Sequence, residues 1–229
     1  MKQKETLLNT VVNKGITPEE LGDMHVGTSF ETPLRPDAFD RDDELKVELI
    51  TKHFKEIMLI LGLDLEDDSL KGTPNRVAKM YVKEIFSGLN PENKPEVRLF
   101  ENKYQYNEML IEKNIPFVSN CEHHFVPIVG KAHCAYISNG EVIGLSKINR
   151  IVEYYARRPQ VQERMTIQIA KHLKKVLNTE DVAIVIEADH MCVSMRGVED
   201  HGVSTVTSDF GGKFKEDRTR AEFLQMIKS

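Results

Sequence analysis

Two short segments far apart in the chain, Cys121-Glu122-His123-His124 and His190-Met191-Cys192, carry two of its three cysteines and three of its eight histidines. Thiolate plus imidazole is the donor set that suits zinc. Any fold in which these segments share one ion must bring them to one place. Cys121 and His124 are three residues apart, so a turn or the start of a helix aims both at one ion. His190 and Cys192 are two apart, so a strand sets both on one face. The expected ligands are therefore Cys121, His124 and Cys192, with His123 and His190 left as neighbouring imidazoles. Three protein ligands leave a fourth position for water, the catalytic arrangement rather than the structural one. No C-x-x-C pair occurs, which disfavours a zinc ribbon or finger.

The remaining composition narrows the class. At 229 residues the chain has room for one large domain, or one domain with an appended piece. A net charge of -5 argues against a broad nucleic-acid-binding face. Three cysteines without an even framework suit a reducing compartment. Residues 1–20 are polar and hold no apolar leader. The longest strongly apolar run, near Ile57–Leu63, falls far short of the ~18 residues that span a bilayer. The expectation is a soluble cytoplasmic protein that binds neither nucleic acid nor membrane.

Residues 1–40, interrupted by Gly15, Gly22, Gly27, Pro18, Pro33 and Pro36, read as an arm, either flexible or docking on a neighbouring subunit. Residues 41–92 read as a helical part. Val47, Ile50, Phe54, Ile57 and Leu61 recur at helical spacing over Asp43–Leu61. A second helix starts at Thr73-Pro74, with Thr73 as its N-cap, and carries Val77, Met80, Tyr81 and Ile85 as far as Gly88. Residues 93–229 mix strands and helices. Phe125–Ile137 reads as a long strand, followed by the short apolar stretch Glu141–Leu145. Ser146 looks like the N-cap of a helix that Pro159 ends, and a further helix buries Val161, Met165, Ile169, Leu173 and Val176. Val182–Ala188 alternates as a strand that delivers His190 and Cys192. Thr205–Ser208 and Arg218–Ile227 add a strand and a terminal helix. Helices grouped between strands predict an α+β fold with an antiparallel sheet.

Four basic residues stand out in this acidic chain. Lys147 and Arg150 share a helix face near its start, Arg76 lies in an early helical turn, and Arg196 follows Cys192. Basic side chains in a first turn oppose the helix dipole, a small cost that an anionic ligand would offset. Arginine's planar fork suits phosphate. Gln162-Glu163 opens a helix, where an acid first of all suits the helix dipole; the functional alternative is base recognition, a carboxylate accepting from two neighbouring N–H groups of guanine. Neither G-x-x-x-x-G-K-[ST] nor G-x-G-x-x-G occurs, so no P-loop or dinucleotide fold holds a nucleotide. His133 and Cys134 are adjacent on a strand and point to opposite faces, which makes Cys134 a core thiol.

Gly72-Thr73-Pro74-Asn75-Arg76, Cys121-Glu122-His123-His124-Phe125, Gly144-Leu145-Ser146-Lys147-Ile148-Asn149-Arg150, Arg158-Pro159-Gln160-Val161-Gln162-Glu163-Arg164 and His190-Met191-Cys192 through Arg196-Gly197 together strongly resemble the GTP cyclohydrolase I family. The resemblance runs from about Asp43 to the C-terminus, and residues 1–40 have no counterpart in it. It implies a tunnelling fold: a four-stranded antiparallel sheet with two helices on one face, preceded by N-terminal helices. It implies sheets joined into a barrel across subunits, in a homodecamer of two pentamers. The implied reaction turns GTP and water into 7,8-dihydroneopterin triphosphate and formate, opening tetrahydrofolate and pterin biosynthesis. By resemblance, Cys121, His124 and Cys192 hold one zinc ion per subunit, and His123 and His190 are acid–base groups. Gln162 and Glu163 anchor guanine, while Ser146, Lys147, Arg150, Arg196 and Arg76 contact ribose and triphosphate. Two other readings compete: a structural zinc scaffold, and a tunnelling-fold enzyme acting on another pterin or a deazapurine.

Overall fold

A computed structural model of the protein describes Thr17 and residues 29–228. The expected arm at residues 1–40 lies largely outside the described residues. The chain divides after Pro33, and the unit from Leu34 onward holds every element below. Two helices come first, α1 (Asp43–Ile60) and α2 (Thr73–Met80). The rest follows in the order β1 (Leu99–Glu101), β2 (Met109–Cys121), β3 (Pro127–Ile137), β4 (Glu141–Ile143), α3 (Leu145–Ala156), β5 (Pro159–Gln160), α4 (Gln162–Leu177), β6 (Val182–His190), α5 (Met191–Ser194), β7 (Thr205–Phe210) and α6 (Asp217–Lys228). Among the described residues, no helix is long and apolar enough to cross a membrane.

The main sheet runs in the order β5-β2-β3-β6-β7. Its four long strands are antiparallel, as expected, and the two-residue β5 pairs parallel with the end of β2. Alternation decides its two faces. Ala132, Cys134 and Tyr136 of β3, with Ile184, Ile186 and Ala188 of β6, face a core completed by α3 and α4 through Ile148, Ile151, Val152, Met165, Ile169 and Leu173. Burying each large aliphatic side chain there stabilises the fold by roughly 1.5–3 kcal/mol. The intervening Ala135, Ile137, Ala183 and Val185 face the other way, where Phe214 and Phe223 cover them. Two helices therefore lie on one face, and α6 caps part of the other.

Several local expectations need correction. Strand β2 had no clear signature, because Asn114 takes a positive φ of 59° at a register shift between Glu112 and Ile115. That irregularity breaks the period of two. Pro116 is tolerated because β2 is an edge strand over most of its length. Strand β3 begins at Pro127 rather than Phe125, which sits at φ 55° in a tight turn. Ser146 and Thr73 are not caps: each lies inside its helix, behind Gly144 and Gly72. The second helix keeps α-geometry only to Met80, then passes through a π-helical turn and a 3-10 turn that ends at Leu89. Gly88 is buried there, its N–H donating to Arg157 O at 2.9 Å. The α1 stripe is only partly realised: Val47 and Met58 are buried, whereas Ile57 and Leu61 are exposed.

Candidate metal centre and its surroundings

Cys121 is the last residue of β2, and a five-residue reversal leads from it into β3. Its N–H donates to Val126 O at 2.9 Å, and Phe125 N–H donates to Cys121 O at 2.8 Å. The left-handed Phe125 closes this turn, which carries Glu122, His123 and His124 at its tip. On the far side of β3, strand β6 ends at His190, opposite Ile128. The chain does not continue extended, as the spacing of His190 and Cys192 had predicted. It coils into the one-turn α5, and Cys192 rides on that turn. The three expected ligands nonetheless converge: one donor atom from each of Cys121, His124 and Cys192 lies within 4.8 Å of the others.

This donor set fits a soft or borderline cation. Donors bound tetrahedrally at about 2.0–2.3 Å from one ion sit roughly 3.5 Å apart, a spacing compatible with the separations seen here. Cys121 is buried, Cys192 half-buried and His124 exposed, which leaves one side of the cluster open. Burial pushes the Cys192 thiol up to about 11, and the neighbouring Cys121 adds to the effect. His124 Nε2 accepts from the Arg196 guanidinium at 2.7 Å. A guanidinium can only donate, so in neutral His124 the ring proton sits on Nδ1. His123 is exposed, with Nδ1 at 3.7 Å from Cys121 Sγ.

His190 lies beside this centre. Its Nε2 is 2.7 Å from Gln162 Oε1, and burial lowers its pKa against an opposing pull from Glu163 and Asp189. Gln162, the first residue of α4, is 1% exposed, while the adjacent Glu163 is exposed. Arg196 thus meets His124, and Gln162 meets His190, on which the Glu163 charge acts without a hydrogen bond. Ser146 and Arg150 are exposed in the opening turns of α3, with Lys147 half-buried between them. Lys147 and Arg150 form no ion pair among the described residues. Arg76 is exposed and holds its own helix start, donating to Ser69 O at 2.9 Å and Thr73 Oγ1 at 3.0 Å.

The sequence model of GTP cyclohydrolase I matches residues 50–228. The chain belongs to the GTP cyclohydrolase I family. Among curated relatives, the GTP cyclohydrolase 1 of Flavobacterium johnsoniae is 61% identical over 210 residues, covering 92% of this chain and 94% of the relative. Those of Citrobacter koseri and Escherichia coli strain K12 are each 52% identical over 204 residues, covering 89% of this chain and 92% of the relative.

One feature of this family member escaped the sequence reading although both residues stand inside the motifs. Glu122, between Cys121 and His124 in the turn, pairs with Arg164 of α4 through both carboxylate oxygens, at 2.5 and 3.1 Å. Arg164 is almost fully buried. Together with Glu122 N–H donating to Gln160 O at 3.0 Å, the pair ties the turn to the start of α4. The one available signal was an arginine directly after Gln162-Glu163, on a helix whose other face is apolar.

Proposed function

We propose that the protein converts GTP and water into 7,8-dihydroneopterin triphosphate and formate. The observation that carries this reading is the convergence of Cys121, His124 and Cys192 beside His190 and Glu163, in a chain of the GTP cyclohydrolase I family. Held by those three residues, one zinc ion per subunit supplies Lewis-acid chemistry that activates water at neutral pH. The chain's own groups do the remainder. His123, exposed at the tip of the turn, delivers a proton to the purine ring as carbon 8 leaves as formate. His190 takes and returns protons as the ribose carbons rearrange and the pterin ring closes. Glu163 accepts from guanine N–H groups, with Gln162 behind it. Lys147, Arg150, Arg196 and Arg76 receive the triphosphate, a local basic set in a chain of net charge -5. Ser146 adds a hydroxyl near the ribose.

The site is assembled between subunits of a homodecamer, two stacked pentamers whose sheets close into barrels. Two features support this assembly. Arg76 and Arg150 are exposed on separate elements, and neither forms an ion pair among the described residues. Val118, Val129 and Val206 are also exposed on the sheet, a surface that sheet-to-sheet closure would cover. The test is an anaerobic metal analysis coupled to formate release and pterin fluorescence from GTP. Activity should vanish in Cys121→Ser and Cys192→Ser. Zinc-loaded protein that consumes no GTP would remove the reading.

A further inference from the structure

The side-chain amide of Gln162 is surrounded in a way that leaves it one orientation. Its Nε2 lies 3.2 Å from Ile186 O, 3.0 Å from Thr205 O and 3.1 Å from Thr207 Oγ1. Backbone carbonyls only accept. Exchanging the amide's oxygen and nitrogen would set Oε1 against two carbonyl oxygens in a site that is 1% exposed, where no water can intervene. The hydroxyl protons point the same way. Thr166 Oγ1 donates to Gln162 O at 2.9 Å, so its proton is committed. In the 2.7 Å contact between Thr166 Oγ1 and Thr207 Oγ1, Thr207 must then be the donor. Thr207 therefore has no proton left for an amide oxygen and is a third acceptor around Nε2.

With Nε2 so committed, Oε1 faces His190 Nε2 at 2.7 Å. An amide oxygen accepts only, so His190 must donate from Nε2. We infer that Gln162 is a positioning residue that fixes the Nε2–H tautomer of neutral His190, leaving Nδ1 as the ring's free lone pair. Strand β6 enters twice, through Ile186 O as an anchor of the amide and through His190 as its client. The tautomer is thus built into the pairing of β6, β7 and α4 and is independent of substrate.

The catalytic weight of this inference rests on the reading of His190 as an acid–base group, so the test separates the two. Zinc-loaded protein carrying 15N-histidine is examined by solid-state NMR, which distinguishes a protonated ring nitrogen from a bare one. The His190 signals are assigned by their loss in His190→Asn. The wild type should show a protonated Nε2 and a bare Nδ1, while Gln162→Met should show a mixture. In steady-state assays, Gln162→Met should lose about tenfold or more in kcat with KM for GTP changed less than about twofold, since its loss disturbs a reacting group rather than ground-state binding. Gln162→Glu, whose carboxyl can present an oxygen to His190, should recover part of kcat if it folds. A protonated Nδ1 at His190 in the wild type overturns the inference outright, whatever the Gln162 variants do. A rise in KM at unchanged kcat overturns it as well, and returns Gln162 to guanine binding. Full turnover in His190→Asn would instead sink the acid–base role and leave the tautomer result standing.

Discussion

Arg164→Met should unfasten the turn that carries Cys121 and His124 from α4. The Arg164 side chain is 4% exposed and that of Glu122 is 21% exposed. Removing one partner of a buried ion pair costs about 3–5 kcal/mol, because the other charge is left uncompensated. Glu122 keeps some access to water, so the lower end applies, about 3 kcal/mol. In a domain of this size each kcal/mol moves the melting temperature by roughly 2–4 °C, giving a drop of about 6–12 °C. Glu122→Gln removes the charge that Arg164→Met strands, so the double variant should be more stable than the sum of the single losses, by at least about 1.5 kcal/mol. The assay is thermal unfolding of all four proteins at one concentration, with and without zinc, alongside zinc competition against a fluorescent indicator. The single variants should also bind zinc more weakly, since Cys121 and His124 flank the loosened residue. Losses that simply add to within about 0.5 kcal/mol would refute the pairing as a stabilising coupling.

Neutral His124 cannot both accept from Arg196 and ligate a metal, because its second nitrogen would need to carry the proton that Nε2 lacks. Arg196→Met should therefore tighten zinc binding by about tenfold, the lower end for a hydrogen bond to a charged group, while weakening GTP binding; calorimetry with unchanged or weaker zinc affinity would contradict this. His172 is held down to about 4, chiefly by burial and further by Lys94, Lys175 and Arg158. Its unfolded value is near 6.5, so above that pH both states are neutral and nothing is lost. As pH falls from 6.5 to 4 the unfolded chain takes up a proton that the folded one refuses, and stability drops by at most about 3 kcal/mol. Urea unfolding of His172→Phe should show that loss largely removed; an unchanged pH profile would argue against it. In metal-free protein, alkylation of Cys192 should rise about tenfold per pH unit toward 11 and be suppressed by zinc, while buried Cys134 stays unreacted. Mild oxidation of the same sample should join Cys121 to Cys192 in a disulfide, read by mass spectrometry; two persisting free thiols would count against their proximity.

What the sequence made legible was set locally. The apolar spacing of Ile148, Ile151 and Val152, and of Met165, Ile169 and Leu173, located α3 and α4 because those residues are buried on one face each. The apolar stretch Val182–Ala188 located β6, although that strand is buried on both faces rather than on one. The convergence of Cys121, His124 and Cys192 was legible because cysteine and histidine have few other reasons to cluster. What failed depended on neighbours distant in sequence. Strand β2 is held by β3 through a bulge at Asn114 that erases its own period. Ile57 and Leu61 have helical spacing, yet nothing in the described chain covers them. Ser146 and Thr73 are good capping residue types, but the backbone turns into each helix earlier, at the glycine two residues before Ser146 and one before Thr73. The Glu122–Arg164 pair and the Gln162–His190 contact join residues 42 and 28 positions apart, and no local pattern announces either.

Cys121 and Cys192 leave two strands that never touch, with β3 running between them. A cation gripped by both cysteines is therefore a rivet through three strands, closing a stretch of roughly 70 residues. By the chain-entropy arithmetic used for cross-links, a closure of that length is worth about 4 kcal/mol. Protein handled in chelating buffer would then be frailer as well as chemically idle, with the corner where β2, β3 and β6 meet the first to fray.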